Sequence, residues 1–303
     1  MTKKLIKLLL LAVVVFGVTE FFLRKYFGFC DAVLMQEDPN YEYIASPNQN
    51  RFRFRNHITY NSESMRSKEV NDSAYTILGF GDSIINGGSL TDQDSLATTI
   101  LSDTLSKIYK KEIQFLNISA GSWGPDNCYA YLLNHGDFHA KSLFLFVNSH
   151  DSYDNMDFVK IVGIFKDFPD KQYKSAIYEV FARYVAPRIQ RFFSNADAGT
   201  DFWGINKKRR DGKFNPGFQA FIDYAKINRI PLTLYLHAEL SEFKKGSYNK
   251  YGQEIIRLAD ENNIRIIKDL DHGLQAGDFR DMIHLSDQGQ RNLAMTVLKY
   301  GFE

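Results

Sequence analysis

The stretch "ILGFGDSIINGG", Ile77 to Gly88, decides the fold class because it shows where a buried strand ends. The apolar run "AYTILGFG" stops at Gly81, and Asp82 and Ser83 follow at once. A nearly all-apolar run of this length is typical of a strand covered on both faces. Acid and hydroxyl side chains at its end indicate either a turn or a nucleophile held at the edge of a sheet.

The same pattern recurs four times towards the carboxyl terminus. The later apolar runs are "IQFLNIS", "SLFLFVNS", "LTLYLHA" and "IRIIKDL". Helical periodicity lies between or after them, over residues 91–110, 126–133, 216–228, 249–262 and 286–300. Strands alternating with helices predict an α/β fold with a doubly wound parallel sheet. In such sheets the loops at the carboxyl ends of the strands form the site.

Three of the polar residues beyond these strand ends match a nucleophilic triad. A serine needs a base to take its proton and an acid to orient that base. Ser83 is the candidate nucleophile, His284 the base and Asp281 the acid. The spacing in "DMIH" lets the last two side chains lie on one side of a tight turn. Ser286 is expected to cap the helix that follows and so to fix the direction of His284.

An acyl-transfer site also needs donors for an oxyanion. The backbone N–H groups of Ser83 and Gly121 are candidates, because loops that enter helices present unpaired donors. A third donor is expected from the loop after the third strand of the sheet.

Three of these segments resemble the SGNH, or GDSL-type, serine hydrolases. "GFGDSIINGG", "NISAGSWG" and "DMIH" are similar, in order, to the first, second and last blocks of that family. The resemblance covers residues 74 to 303 apart from an insertion. It implies a flavodoxin-like fold and hydrolysis or transfer of an ester-linked acyl group. It places Ser83 as nucleophile, Gly121 as oxyanion glycine, and Asp281 and His284 as acid and base. "PNQ" and "NSESMR" upstream resemble the lead-in of membrane-anchored bacterial members.

One block departs from the family pattern. Members usually carry Gly-x-Asn-Asp or Gly-Asn-Asp after the third strand, whereas this chain has "FVNSHDSYDN". Alignment on Asp151 places His150 at the oxyanion asparagine, and a shift of two places Asn148 there. An imidazole can donate a hydrogen bond, so both residues stay candidates. The departure also leaves open a site that binds substrate without turning it over.

The amino-terminal segment resembles an export signal. Lys3, Lys4 and Lys7 precede or flank the apolar run "LLLLAVVVFGV", and no small-x-small cleavage site follows it. With Lys7 snorkelling, residues 5–23 are long enough to span a bilayer. We expect residues 1–25 to be a signal anchor, with the following domain on the extracytoplasmic side (periplasmic or cell-surface). Secretion after cleavage of a signal peptide is the alternative.

Two further regions complete the predicted organisation. Residues 26–72 are expected to form an extension that packs on the main domain, with an edge strand or short hairpin at Arg51–Arg55. Residues 73–303 form the hydrolase-like domain, with an aromatic-rich insertion at about 157–213. The pattern there predicts a helix over 171–193, broken at Pro187. We expect its aromatic side chains to pack on the sheet; binding of sugar rings or acyl chains is the alternative.

Composition excludes several other classes. A formal net charge of +1 gives no electrostatic support for nucleic-acid binding, and the run Lys207–Arg210 is expected to be a solvated loop. Two cysteines, Cys30 and Cys128, are too few for a disulfide scaffold. His150, Asp151 and Asp154 do not spell out a closed set of metal ligands, and a serine triad needs neither a metal nor an organic cofactor.

These observations predict a membrane-anchored, extracytoplasmic serine esterase. It would remove an acyl group, most simply acetyl, from a cell-surface glycan or a similar ester. Two alternatives remain: an O-acyltransferase that uses the same triad, and a catalytically decayed module that binds carbohydrate or a partner.

Overall fold

A five-stranded parallel sheet forms the centre of the molecule, as the computed structural model shows for residues 3–193 and 212–302. Two antiparallel hairpins precede it, formed by β1 (Met35–Asp38) with β2 (Glu42–Ala45) and by β3 (Gln49–Arg53) with β4 (Asn56–Tyr60). The sheet strands are β5 (Tyr75–Gly81), β6 (Ile113–Ser119), β7 (Ser142–Asn148), β8 (Leu232–His237) and β9 (Arg265–Lys268). All five runs predicted from the sequence are strands, and the alternation at Arg51–Arg55 belongs to the β3–β4 hairpin.

Helices alternate with these strands as predicted. The helices are α1 (Lys3–Phe27), α2 (Ser83–Asn86), α3 (Ala97–Tyr109), α4 (Pro125–His135), α5 (Ala176–Val180), α6 (Ala186–Phe193), α7 (Gly217–Asn228), α8 (Leu240–Lys245), α9 (Lys250–Asn262) and α10 (Asp287–Tyr300). Ser286 caps α10 by accepting a hydrogen bond from the N–H of Gly289 at 3.1 Å, as its sequence context predicts.

The strand order places a topological switch point beside the first sheet strand. The order is β6-β5-β7-β8-β9, all parallel, which is the flavodoxin-like order 2-1-3-4-5 counted along the sheet strands. The chain leaves β5 on one side to form β6 and returns on the other side to form β7. The switch point, where sheets of this kind form their binding crevice, therefore lies between the carboxyl ends of β5 and β7, where Ser83 and the segment Asn148–Asp151 begin.

Apolar residues alternate between the two faces of the sheet, so each face has its own core. Leu78 and Phe80 of β5 pack with residues of α4, α7 and α9, whereas Ile77 packs with residues of α3 and α10. This arrangement explains why the strands read as nearly continuous apolar runs.

The segment before the sheet is more ordered than its sequence indicates. The β1–β2 hairpin has no period-2 signal, yet Tyr41, Tyr43 and Ile44 are buried in the same core as Phe80. Both cysteines are free thiols, and Cys128 is buried.

Helix α1 projects from the domain. None of its residues is buried, and its most apolar 18-residue window has a mean hydropathy of 2.3. By length and composition it can cross a membrane.

The insertion differs from its prediction in two respects. The helix continues through Pro187, because the turn just before it, Phe181–Val185, is a wider π turn. A π turn relieves the clash between the proline ring and a preceding carbonyl. Three aromatic residues of this helix also do not pack on the sheet: Tyr178 and Phe181 are exposed, and Tyr184 contacts Phe29. Residues Lys207–Arg210 lie outside the described residues.

Candidate active site

The candidate nucleophile lies on a tight strand-to-helix turn. Strand β5 ends at Gly81, where a Cβ would lie 2.9 Å from the carbonyl oxygen of Phe146 on β7, so the position has no room for a side chain. Asp82 is buried, and its carboxylate accepts from the N–H of Ile84 at 2.8 Å, which caps α2. Ser83 therefore stands at the first position of a helix, partly exposed above the sheet.

The structure brings His284 and Asp281 to this serine across 201 residues of chain. His284 Nε2 lies 3.0 Å from Ser83 Oγ, and His284 Nδ1 lies 2.8 Å from Asp281 Oδ2. With the neutral imidazole protonated on Nδ1, that N–H donates to the carboxylate and Nε2 accepts from the hydroxyl. This is the tautomer that a general base requires.

The loop itself keeps Asp281 ionised. Burial pushes the pKa of Asp281 upwards, but its carboxylate accepts from the backbone N–H groups of Ile283 at 3.0 Å and His284 at 2.8 Å. Together with the imidazole of His284, these bonds lower its pKa below the usual value. Asp281 is thus an anion throughout the neutral range, as its orienting role needs.

A second histidine–aspartate pair lies behind this loop, and the sequence does not reveal it. His237, at the end of β8, places Nδ1 2.5 Å from Asp269 Oδ2 and Nε2 2.9 Å from the carbonyl oxygen of Ile283. Both side chains are buried. Burial opposes a charge on His237, but Asp269 and the Ile283 carbonyl raise its pKa. The Asp269 carboxylate and the Ile283 carbonyl can only accept hydrogen bonds, so both ring nitrogens of His237 carry protons. The resulting imidazolium supports the backbone between Asp281 and His284.

The sequence predicts two backbone donors for the oxyanion, the N–H groups of Ser83 and Gly121. Among the described residues, no acceptor takes the N–H of Ser83 or that of Gly121. A Cβ built at Gly121 would meet nothing within 4 Å, so the space beside it is open. The Gly121 carbonyl accepts from the Tyr43 hydroxyl at 2.8 Å, which holds this loop from the N-terminal extension.

The structure separates the two candidates for the third donor. Asn148 is wholly buried; its Nδ2 donates to Asp82 Oδ2 at 3.2 Å, and its Oδ1 accepts from the N–H of His150. The imidazole of His150 is 23% exposed, with Nδ1 3.4 Å from Glu239 Oε1 and Nε2 3.6 Å from Asp151 Oδ1. Of these two side chains, only that of His150 is partly exposed, and both of its ring nitrogens face carboxylates.

His150 carries a positive charge at neutral pH. Burial lowers its pKa, but the carboxylates of Asp151 and Glu239 outweigh that effect and raise the pKa to about 9. Ligand atoms of Asp82, His150 and Asp151 lie within 4.8 Å of one another. Asp82 and Asp151 already accept bonds from Asn148, so hydrogen bonding accounts for this cluster.

Another residue, missed at the sequence level, fixes the loop after the nucleophile. Arg66 is fully buried and donates to the backbone carbonyls of Asn86, Gly88 and Thr91. The one signal for it was its place in "NSESMR", the segment that resembles a lead-in of anchored family members.

No family model and no curated protein matches this chain. Among solved structures, it resembles a member of the lipolytic protein G-D-S-L family from Veillonella parvula DSM 2008, with a TM-score of 0.40 and 13% identity over 75% of this chain and 97% of that one. It also resembles a lipase/acylhydrolase from Enterococcus faecalis, with a TM-score of 0.44 and 12% identity over 74% and 94%. A third is a carbohydrate acetylesterase family member from Sinorhizobium meliloti, with a TM-score of 0.40 and 12% identity over 74% and 95%.

Proposed function

We propose that this protein is a serine esterase that removes an acyl group, most simply acetyl, from a glycan or similar ester. The observation that carries the proposal is the hydrogen-bonded line from Ser83 Oγ through His284 to Asp281 at the switch point of the sheet. Nucleophile, base and orienting acid within hydrogen-bond reach are what covalent acyl transfer requires.

The reaction follows from this geometry in two steps. Ser83 Oγ bonds to the acyl carbon while its proton passes to His284 Nε2. The carbonyl oxygen becomes an oxyanion that the N–H groups of Ser83 and Gly121 and the imidazolium of His150 stabilise. Collapse breaks the bond to the alkoxide, which leaves with the proton from His284. Water then repeats the attack on the acyl-enzyme, releasing the acid and restoring the Ser83 hydroxyl.

In this proposal the cationic imidazole of His150 takes the place of the asparagine that family members carry. A charged donor forms a stronger hydrogen bond to an oxyanion than a neutral amide does. The geometry of the triad favours turnover over a decayed binding module.

We propose further that α1 is a signal anchor that holds the enzyme at the extracytoplasmic face of a membrane. Its three lysines near the amino terminus and its exposed apolar surface support this location. An acylated polymer of the cell envelope is then the substrate class within reach, an assignment that rests on the family resemblance of the sequence blocks.

An active-site serine probe and an ester assay test the function together. A fluorophosphonate should label the full chain in detergent, and the protein should hydrolyse acetylated sugars or short aryl esters. Ser83→Ala should lose both properties, whereas Ser89→Ala, an alteration of a nearby serine, should keep them.

Folded wild-type protein that resists the probe and hydrolyses no ester would contradict the proposal and favour the binding module. Diversion of the acyl group from water to an added sugar would instead identify an acyltransferase.

A further inference from the structure

The insertion helix formed by α5, the π turn and α6 has two unlike faces. One face is buried against the rest of the domain: Ala176 and Glu179 are 0% exposed. The other face exposes large apolar side chains to solvent. They are Tyr178 at 60%, Phe181 at 49%, Val185 at 38% and Ile189 at 47% exposed. We call these four residues the apolar stripe. A water-soluble surface helix usually shows a polar outer face, so this stripe indicates a non-aqueous neighbour.

The start of this helix is bonded directly to α1. The carboxylate of Glu20 accepts from the backbone N–H groups of Ala176 at 2.7 Å and Ile177 at 3.0 Å. It also accepts from the Ser175 hydroxyl at 3.0 Å, and Arg24 donates to the carbonyl of Lys174. Glu20 therefore satisfies the open N–H groups at the beginning of α5.

A buried ion pair fixes the direction in which the helix leaves α1. Glu179 accepts from Arg53 Nη2 at 2.6 Å and from the backbone N–H of Cys30. Arg53 also donates to the carbonyl of Gly28, just beyond the end of α1, at 3.0 Å. The anchor, the β3–β4 hairpin and the insertion helix thus meet at one joint, which holds the apolar stripe in a set position.

The joint lies near the level where the hydrocarbon of a membrane would end. From Leu5 to Glu20 a helix rises about 22 Å at 1.5 Å per residue. A span shorter than the usual hydrocarbon layer of about 30 Å is accommodated by local thinning of the bilayer. The apolar stripe begins at Tyr178, directly after the two residues whose N–H groups bond to Glu20, and is thus placed near the boundary between acyl chains and headgroups. Aromatic residues such as Tyr178 and Phe181 are favoured there.

Basic side chains lie beside the joint and along the insertion helix. Arg24 and Lys25 close α1, and Lys174 and Arg188 lie at the start and the far end of the insertion helix; all four are exposed. Positive charge beside an apolar stripe is the pattern of helices that lie in the surface of an anionic membrane.

We propose that the insertion helix lies in the outer surface of the bilayer that α1 crosses, with the apolar stripe among the lipid acyl chains. The inference rests on the proposed membrane anchor. Two attachments, a spanning helix and a surface helix joined at Glu20, would hold the domain at a fixed tilt to the membrane.

Depth-dependent fluorescence quenching tests this contact. The full chain is reconstituted into vesicles of phosphatidylethanolamine and phosphatidylglycerol, with or without bromine on the acyl chains. Phe181→Trp adds a tryptophan to the stripe, and Ile189→Trp provides a second position on the same face. Ile227→Trp is the matched control, since Ile227 is 79% exposed on α7 and is not part of the joint. The signal is the emission gained over wild-type protein.

Bromolipid should quench the added emission at 181 and at 189 and leave that at 227 unchanged. Carbonate extraction of the same vesicles tests separately whether α1 spans the membrane. If the chain resists extraction but 181 and 189 are quenched no more than 227, the surface contact is wrong while the anchor stands. If carbonate releases the chain, the anchor fails and this proposal fails with it; ester hydrolysis by Ser83 is unaffected by either result.

Discussion

Two histidine–aspartate pairs lie close together in this molecule and differ in what their second nitrogen faces. His284 is paired with Asp281, and its Nε2 faces the hydroxyl of Ser83. His237 is paired with Asp269, and its Nε2 faces the carbonyl of Ile283. The side chains of the first pair are 21% and 48% exposed, and those of the second are 1% and 4% exposed.

The difference indicates that His284 can carry a proton, whereas His237 has a structural role. A hydroxyl can give up its proton, so His284 can cycle between neutral and charged forms. A carbonyl can only accept, so loss of the proton from His237 would leave a buried acceptor unsatisfied. Pairing with a carboxylate is therefore common to both histidines, and the group beyond Nε2 decides the role.

The largest effect is expected at His284. His284→Ala removes the proposed base, and kcat should fall by about 10⁴–10⁶-fold. Because the side chain is partly exposed at the surface of the crevice, the unfolding midpoint should change little. Steady-state kinetics with an aryl ester, beside thermal denaturation, make the measurement. Activity close to wild type would end its assignment as the base.

His150 should give the next largest effect, because we propose that it donates to the oxyanion. Removing one such donor costs roughly 10²–10³ in kcat, and KM should stay nearly constant because the bond forms in the transition state. We therefore expect His150→Ala to lower kcat by that amount, and His150→Asn to recover part of the loss. A change confined to KM would assign the residue to substrate binding.

The dependence of the rate on pH tests whether the charge of His150 contributes to turnover. The pKa of His150 is raised to about 9, so its charge is present at neutral pH and is lost as the pH rises through about 9. The rate of the wild type should decline over that range, and His150→Asn should lack the decline because an amide does not titrate there. Equal profiles for the two proteins would show that the charge of His150 has no part in turnover.

An intermediate effect is expected at the buried support. His237→Gln leaves Asp269 without its charged partner, and breaking a buried pair costs about 3–5 kcal/mol of unfolding free energy. Loss of the bond to Ile283 should also loosen the loop and lower kcat by roughly tenfold, an amount equivalent to one hydrogen bond. Denaturant titration and kinetics are compared with His139→Gln, which alters an exposed histidine. Wild-type stability in His237→Gln would contradict this description of the pair.

The smallest effect is expected at Tyr43, which acts through the Gly121 loop. Tyr43→Phe removes a bond of 2.8 Å to the Gly121 carbonyl and should lower kcat by about threefold to tenfold, since one hydrogen bond contributes about 0.5–1.5 kcal/mol. Tyr109→Phe, at an exposed position on α3, is the control. A decrease of equal size in both variants would remove Tyr43 from the site.

The sequence predicts the parts of this molecule that depend on local patterns. Strand and helix periods, the Ser286 cap and the order of the blocks around Ser83 and His284 all follow from neighbouring residues. The meeting of His284 with Ser83 follows from the parallel sheet, because carboxyl ends of strands share one edge.

Contacts between distant side chains could not be predicted in the same way. Asp269 lies 32 residues from His237, and neither residue stands in a pattern that marks a pair. Tyr43 reaches Gly121 from a hairpin without clear alternation, and Arg66 bonds backbone carbonyls, which any sequence supplies. Pro187 misled the helix prediction because a π turn absorbs its clash, and propensity rules describe only the regular helix.

The bond from Glu20 to the first turn of α5 has a practical consequence for anyone who prepares a soluble version of the enzyme. Cutting away α1 also deletes the carboxylate that closes the insertion helix, and it leaves Tyr178, Phe181, Val185 and Ile189 facing water. Such a fragment is expected to self-associate through that helix. Replacing the four side chains with polar residues, and beginning the chain at Gly28 so that the partner of Arg53 is kept, would be the remedy.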